Sequence, residues 1–293
     1  MGEPANIYGK KSYEFAIGSI KANSHRPLSA EQWRRLRDAD MRAAEKILVE
    51  YGYPPLSEGK TILDSIEAEM KSRIEFIRDT APDAELVDLL FFEEDAVNLK
   101  LYLKARLMGE SPDALPICAG GTDPELLRIC VYTEDFSLLG SPAQEMLQGI
   151  CAEPDPRKIS CLADNAMFSR ARKTAENKHC APLARLLAEY GTGRNRRTAL
   201  RLARLGADPK EYPDAFLPVD WAPFQTADHG KPEDVVLADI DKRLAAVTEE
   251  LGYDSGMGPI AQYYFMKKNE AAALRMLFTE KSFAAAGGAA GNG

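Results

Sequence analysis

The chain has 293 residues, 45% of them hydrophobic, and carries a net charge of −8 at neutral pH. That is enough apolar material for one large core or two to three smaller ones without help from metals or disulfides, and the acidic balance weighs against nucleic acid as a partner. Five cysteines without a C-x-x-C pair and three histidines, His25, His179 and His229, supply neither a disulfide framework nor a ready metal site, so a reducing cytoplasmic setting and no cofactor are expected.

Met1 to Ala5 show no charged segment leading into an apolar one, and the longest apolar run, Leu86 to Phe92, is interrupted by Asp88. Neither a signal peptide nor a membrane span is predicted. The first strong start signal is Ser29 with Gln32, a capping box that predicts a helix through Leu36, Ala43 and Ile47 to about Tyr51. Gly59, Lys60 and Thr61 resemble the end of a phosphate-binding loop, but Pro54 and Pro55 stand where that loop needs glycine and free backbone N–H groups. A turn that starts a helix is the better reading. From Asp83 to Met108, the spacing of Leu89, Phe92, Ala96, Leu99, Leu103 and Leu107 predicts one amphipathic helix ended by Gly109. The acids Glu93, Glu94 and Asp95 should fan out over its solvent face and form a charge network with Lys100 and Lys104.

A stretch dense in Pro and Gly, Gly109 to Pro124 with Pro112 and Pro116, breaks the pattern. Asp123 before Pro124, and Ser141 before Pro142, then open two further helices. Between Arg157 and Arg204 stand twelve Lys or Arg against three acids, Asp164, Glu176 and Glu189, a local charge of +9 in an acidic chain. Such a run is a solvated face or a surface for an acidic partner, and it lacks the interleaved aromatics of a nucleic-acid platform. The adjacent His179 and Cys180 point about 100° apart on a helix, which disfavours a nucleophile–base pair. A second Pro and Gly stretch, Gly206 to Pro232, precedes the last helical unit, and the Ala, Gly and Asn tail at 284–293 is expected to be disordered.

These breaks divide the chain into helical repeats over residues 1–112, 113–209 and 210–283. Each carries an asparagine followed five residues later by leucine and then a cation: Asn98, Leu103 and Lys104; Asn195, Leu200 and Arg201; Asn269, Leu274 and Arg275. Asparagine is a mediocre helix former, so its recurrence suggests that it binds a group at a junction, with the cation turned toward a rim. The alternative is that these residues only satisfy neighbouring helix ends within each unit. Familiar catalytic and nucleotide-binding motifs are missing from the sequence, which favours a scaffold over an enzyme.

The run from Phe92 through Asn98 to Lys100, continued by Leu103, Lys104 and Arg106, resembles the C-type subunit of the bacterial and archaeal V-type (A-type) ATPases, related to the eukaryotic d-type subunit. So does the block from Tyr263 to Glu270, with Leu274 and Arg275, and the segments at Tyr13, Leu28-Ser29 and Gly52-Tyr53 are similar as well. The resemblance implies an all-α, funnel-like protein of three similar helical domains with pseudo-threefold symmetry. It further implies a non-catalytic rotor adaptor that joins the central stalk to the membrane ring in proton or sodium transport coupled to ATP. Its partners would be stalk and ring subunits, and its contact with the membrane would run only through them. Asn98, Lys104, Arg106, Asn195, Arg201, Glu270 and Arg275 are the candidate packing and interface residues. Arg194, Arg196, Arg197, Arg201 and Arg204 are the candidates for meeting an acidic surface. The other class that fits is a soluble helical-repeat interaction module with no link to an ATPase.

Overall fold

The computed structural model describes residues 11–22, 27–115 and 118–290, and among these every regular element is a helix. His25, Pro116, the opening residues Met1 to Ala5 and the last three tail residues fall outside the described residues. In chain order come α1 (Tyr13–Ala22), α2 (Ala30–Asp38), α3 (Met41–Glu50), α4 (Ile62–Thr80), α5 (Ala84–Asp88), α6 (Phe92–Met108), α7 (Pro124–Thr133) and α8 (Ala143–Leu147). After these come α9 (Pro156–Asn177), α10 (Ala181–Arg204), α11 (Ala222–Ala227), α12 (Glu233–Leu251) and α13 (Gly258–Ala290). The chain forms two compact units: a terminal unit of Met1–Pro82 with Pro259–Gly293, and a central unit of Asp83–Gly258.

Local signals explain most helix starts. Ser29 and Gln32 form the expected capping box, Thr61 and Asp64 form another at the head of α4, and Asp123 caps α7 with Pro124 in its first turn. Gly59, Lys60 and Thr61 are thus a helix-starting turn. Each such cap contributes ~1 kcal/mol by satisfying a backbone N–H that the helix leaves open. Gly109 and Gly206 both take positive φ, 70° and 65°, and close α6 and α10 in the same way. Glu110 donates back to the Ala105 carbonyl and Ala207 to that of Leu202.

Four elements differ from expectation. The first helix breaks at Ala39, because Asp40 turns its carboxylate onto the Ala43 N–H and starts α3. Lys281 of α13 donates to the carbonyls of Arg37 and Ala39, so a cation satisfies the open end of α2 at this break. The segment from Asp83 to Met108 is α5, a 3-10 turn at Leu89–Phe91, and α6; its apolar stripe is buried except at Leu107. Ser141 does not cap α8, its hydroxyl instead donating to Glu145. Within the stretch read as a disordered tail, α13 continues to Ala290.

Each unit has its own core. The central unit packs α6, α7, α8 and α9 around Leu99, Leu103, Leu127, Val131, Leu147, Ile159 and Met167. The terminal unit buries Leu36, Leu48, Ile66, Ile77, Tyr264 and Phe278. Full burial of each large side chain contributes about 1.5–3 kcal/mol.

Candidate functional site

Asn98 and Asn195 are both completely buried and make the same pair of bonds. The Asn98 side chain donates to the Cys118 carbonyl at 2.9 Å and accepts the Cys118 N–H at 2.8 Å, twenty residues further along the chain. Asn195 donates to the Leu217 carbonyl at 2.8 Å and accepts the Leu217 N–H at 2.7 Å, twenty-two residues on. Each amide replaces a strand partner for one loop residue and pins the connection after its own helix back onto that helix. Losing either amide orphans two backbone groups, which is the expensive side of hydrogen bonding.

The third asparagine departs from this. Asn269 is exposed, and the residue beside it, Glu270, is the buried one. Its carboxylate accepts the Leu28 N–H just before the α2 cap, accepts the Tyr53 hydroxyl at 2.6 Å, and lies 2.5 Å from the Lys267 ammonium. Lys267 also faces Glu69 at 3.6 Å, which in turn meets Arg73 at 3.2 Å, so four buried charges compensate one another around the α4 and α13 contact. Burial and the neighbouring Glu270 charge push the Tyr53 hydroxyl far above its ordinary range, so it stays a proton donor. The clamp register therefore slips by one residue in α13, from the asparagine to the acid.

Asp95 corrects the picture of an exposed acidic patch on α6. Only 3% of it is accessible. It accepts the Thr122 N–H at 3.0 Å and the Thr122 hydroxyl at 2.7 Å, while Arg170 donates to the same hydroxyl at 2.6 Å. Gly120 permits this approach, since a Cβ there would fall 2.1 Å from Oδ1 of Asp95. Burial raises the Asp95 carboxyl to about 6, against the opposing pull of Thr122 and Arg170. Lys100 pairs with Asp164 at 2.7 Å, not with the acids of its own helix, and Glu93 accepts the Tyr190 hydroxyl.

Most of the basic stretch is engaged inside the central unit. Arg194 pairs with Asp164, Arg196 with Asp228 at 2.6 Å and Asp239 at 2.7 Å, Arg197 with Asp241, and Arg204 with Glu233. Of these, Arg196 is buried and the others are partly or largely exposed. Arg106 ties α6 to the end of α7 through the Val131 carbonyl and Glu134. In the terminal unit Arg275 pairs with Glu67 at 2.6 Å on the surface. Among the described residues, the half-buried Lys104 and the exposed Arg201, equivalent positions after the two clamps, have no ion-pair partner.

Cys180 precedes the first residue of α10, and burial pushes its thiol upward, away from the thiolate a nucleophile requires. Sequence reading passed over Thr122, Arg170, Glu69 and Arg73, and gave Tyr53 and Lys267 no role in a site. The one local signal for them was a Lys and a Glu three residues apart in α13, a spacing that puts them on one helix face.

A family model described as the ATP synthase (C/AC39) subunit matches residues 16–226. The chain belongs to this family, that of the C-type and d-type subunits of the V/A-type ATPases. A search of curated proteins returns no match. The C/AC39 match takes in both asparagine clamps, the Asp95 contact and the whole basic stretch, while Glu270 and Arg275 lie beyond its end. No described helix of this C/AC39 chain is long and apolar enough to cross a membrane.

Proposed function

We propose that this chain is a non-catalytic adaptor of a rotary V/A-type ATPase, seated between the central stalk and the membrane ring. It works on the cytoplasmic side, peripheral to the membrane, and supports proton or sodium transport coupled to ATP. In this reading its three similar helical domains, residues 1–112, 113–209 and 210–283, stand about a pseudo-threefold axis and form a funnel. Family membership supports the assignment. The observation that carries it further is the recurrence of one buried amide clamp at Asn98 and Asn195.

A part that passes torque needs loops that do not yield, and two-point clamps on buried backbone supply stiffness where a reactive pocket would not. Asn98, Asn195, Arg106, Arg194, Arg196 and Glu270 then act through packing. Lys104, Arg197, Arg201, Arg204 and Arg275 keep charge at the surface, where it can meet acidic stalk or ring subunits.

The test is a triple reversal, Arg197→Glu, Arg201→Glu and Arg204→Glu, in the intact complex. Loss of co-purification with stalk and ring subunits in mild detergent, with helical content unchanged, is the expected result. Assembly at the wild-type level would remove these residues from the interface.

A further inference from the structure

The wall that follows α10 encloses a cavity of about 730 Å³ in the central unit, a volume typical of small-ligand sites. Its floor is Ala199, Leu200 and Ala203 of α10, and its walls are aromatic. Phe216 and Trp221 stack with centroids 5.0 Å apart and planes 11° from parallel. Phe224 lies in contact with two guanidinium groups, those of Arg196 at 4.5 Å and Arg243 at 4.9 Å. Arg196 is itself fixed by Asp228 and Asp239, so this wall is held in place before any ligand arrives. Yet Phe216, Trp221 and Phe224 are each only half-buried, and α11, which carries Phe224, has no buried residue. Three aromatic rings thus line this cavity while keeping part of their surface accessible.

The rim adds charge. Lys210 and Lys231 line the cavity, both exposed and both without an ion-pair partner among the described residues. Of the two acids that also line the cavity, Asp228 is paired with Arg196, while Asp208 caps the Lys210 backbone N–H and keeps its negative charge. Stacking surfaces beside free cations suit a flat ring carrying negative charge.

We propose that this cavity binds a planar heteroaromatic ring bearing a phosphate, of nucleoside monophosphate size. The ring lies against the aromatic wall and the phosphate meets Lys210 and Lys231. The inference is independent of the adaptor role.

Trp33→Phe leaves Trp221 as the sole tryptophan, so fluorescence titration of the full-length chain with adenosine monophosphate reads the site. A saturable change with Kd below about 1 mM is expected, the weak end of specific ligand affinity. Adenosine should bind at least about tenfold more weakly, because the phosphate contact is lost. Lys210→Glu with Lys231→Glu, and separately Phe216→Ala, should each raise Kd by a similar factor while helical content stays unchanged. Isothermal titration of the same proteins reads binding without relying on Trp221. Absence of saturable binding by both methods would overturn the site. Equal affinity for adenosine, or an unchanged Kd in the lysine reversal, would overturn the phosphate contact.

Discussion

In the central unit, Asn98 and Asn195 hold a loop through a neutral amide that both gives and takes a hydrogen bond. In the terminal unit, Glu270 holds Leu28 through a carboxylate that can only accept, and the Lys267 ammonium balances its charge. The mechanical task is alike, the fastening of a backbone segment to a helix, but the failure modes differ. A lost amide strands two backbone groups of ordinary polarity, whereas a lost member of the charged cluster strands a full charge away from water.

The largest consequence concerns the charged fastening. Lys267→Met should destabilise the fold by about 3–5 kcal/mol, because Glu270 and Glu69 lose their shared counter-ion inside the protein. Combining it with Glu270→Gln should recover most of that loss, since a neutral Gln can accept the Leu28 N–H with its oxygen while its amide N–H donates to the Tyr53 hydroxyl. Denaturant unfolding of the single and double variants separates the two outcomes, and additive losses would mean that the charges are not coupled.

Next in size is a pH effect that belongs to the central unit alone. Folded Asp95 keeps its proton up to about 6, against an ordinary value of 3.8. Its contribution to stability is thus fully present below the ordinary value and is lost as pH rises through about 6, a change on the order of 3 kcal/mol. Asp95→Asn should remove that slope. Stability curves for variant and wild type that stay parallel from about pH 4 to pH 7 would refute a buried acid whose desolvation outweighs the pull of Thr122 and Arg170.

The neutral clamps come third. Asn98→Ala and Asn195→Ala should each cost about 1–3 kcal/mol and expose the amides of Cys118 or Leu217 to faster hydrogen exchange, each without affecting the other. Exchange that rises at both loops together would show the two clamps to be one cooperative device. The smallest effects belong to exposed pairs. Arg197→Ala and Arg204→Ala should shift stability by less than about 1 kcal/mol, as solvent screens both pairs.

How legible each feature was in the sequence depends on how far away its cause lies. Caps at Ser29 and Asp123, and the glycine ends at Gly109 and Gly206, are decided within a few residues and could be read directly. The asparagine spacing revealed two of the clamps because their helices preserve it. It misled at Asn269, where a one-residue slip rotates the helix by about 100° and turns Glu270 inward instead. The break at Ala39 starts from the local Asp40 cap, but the open end it leaves is satisfied by a lysine 242 residues away, and the burial of Asp95 depends on a glycine loop 27 residues on. The basic stretch looked available to a partner because its own acids are few. Its counter-charges arrive from the following segment, Asp228 at the end of α11 and Glu233, Asp239 and Asp241 through the packing of α12 on α10, which no local pattern encodes.

The adaptor assignment is tested most directly by affinity purification of the tagged, full-length chain under mild detergent, with its companions identified by mass spectrometry. Recovery of central-stalk subunits together with the membrane ring is the predicted result. A folded chain recovered with neither would contradict it.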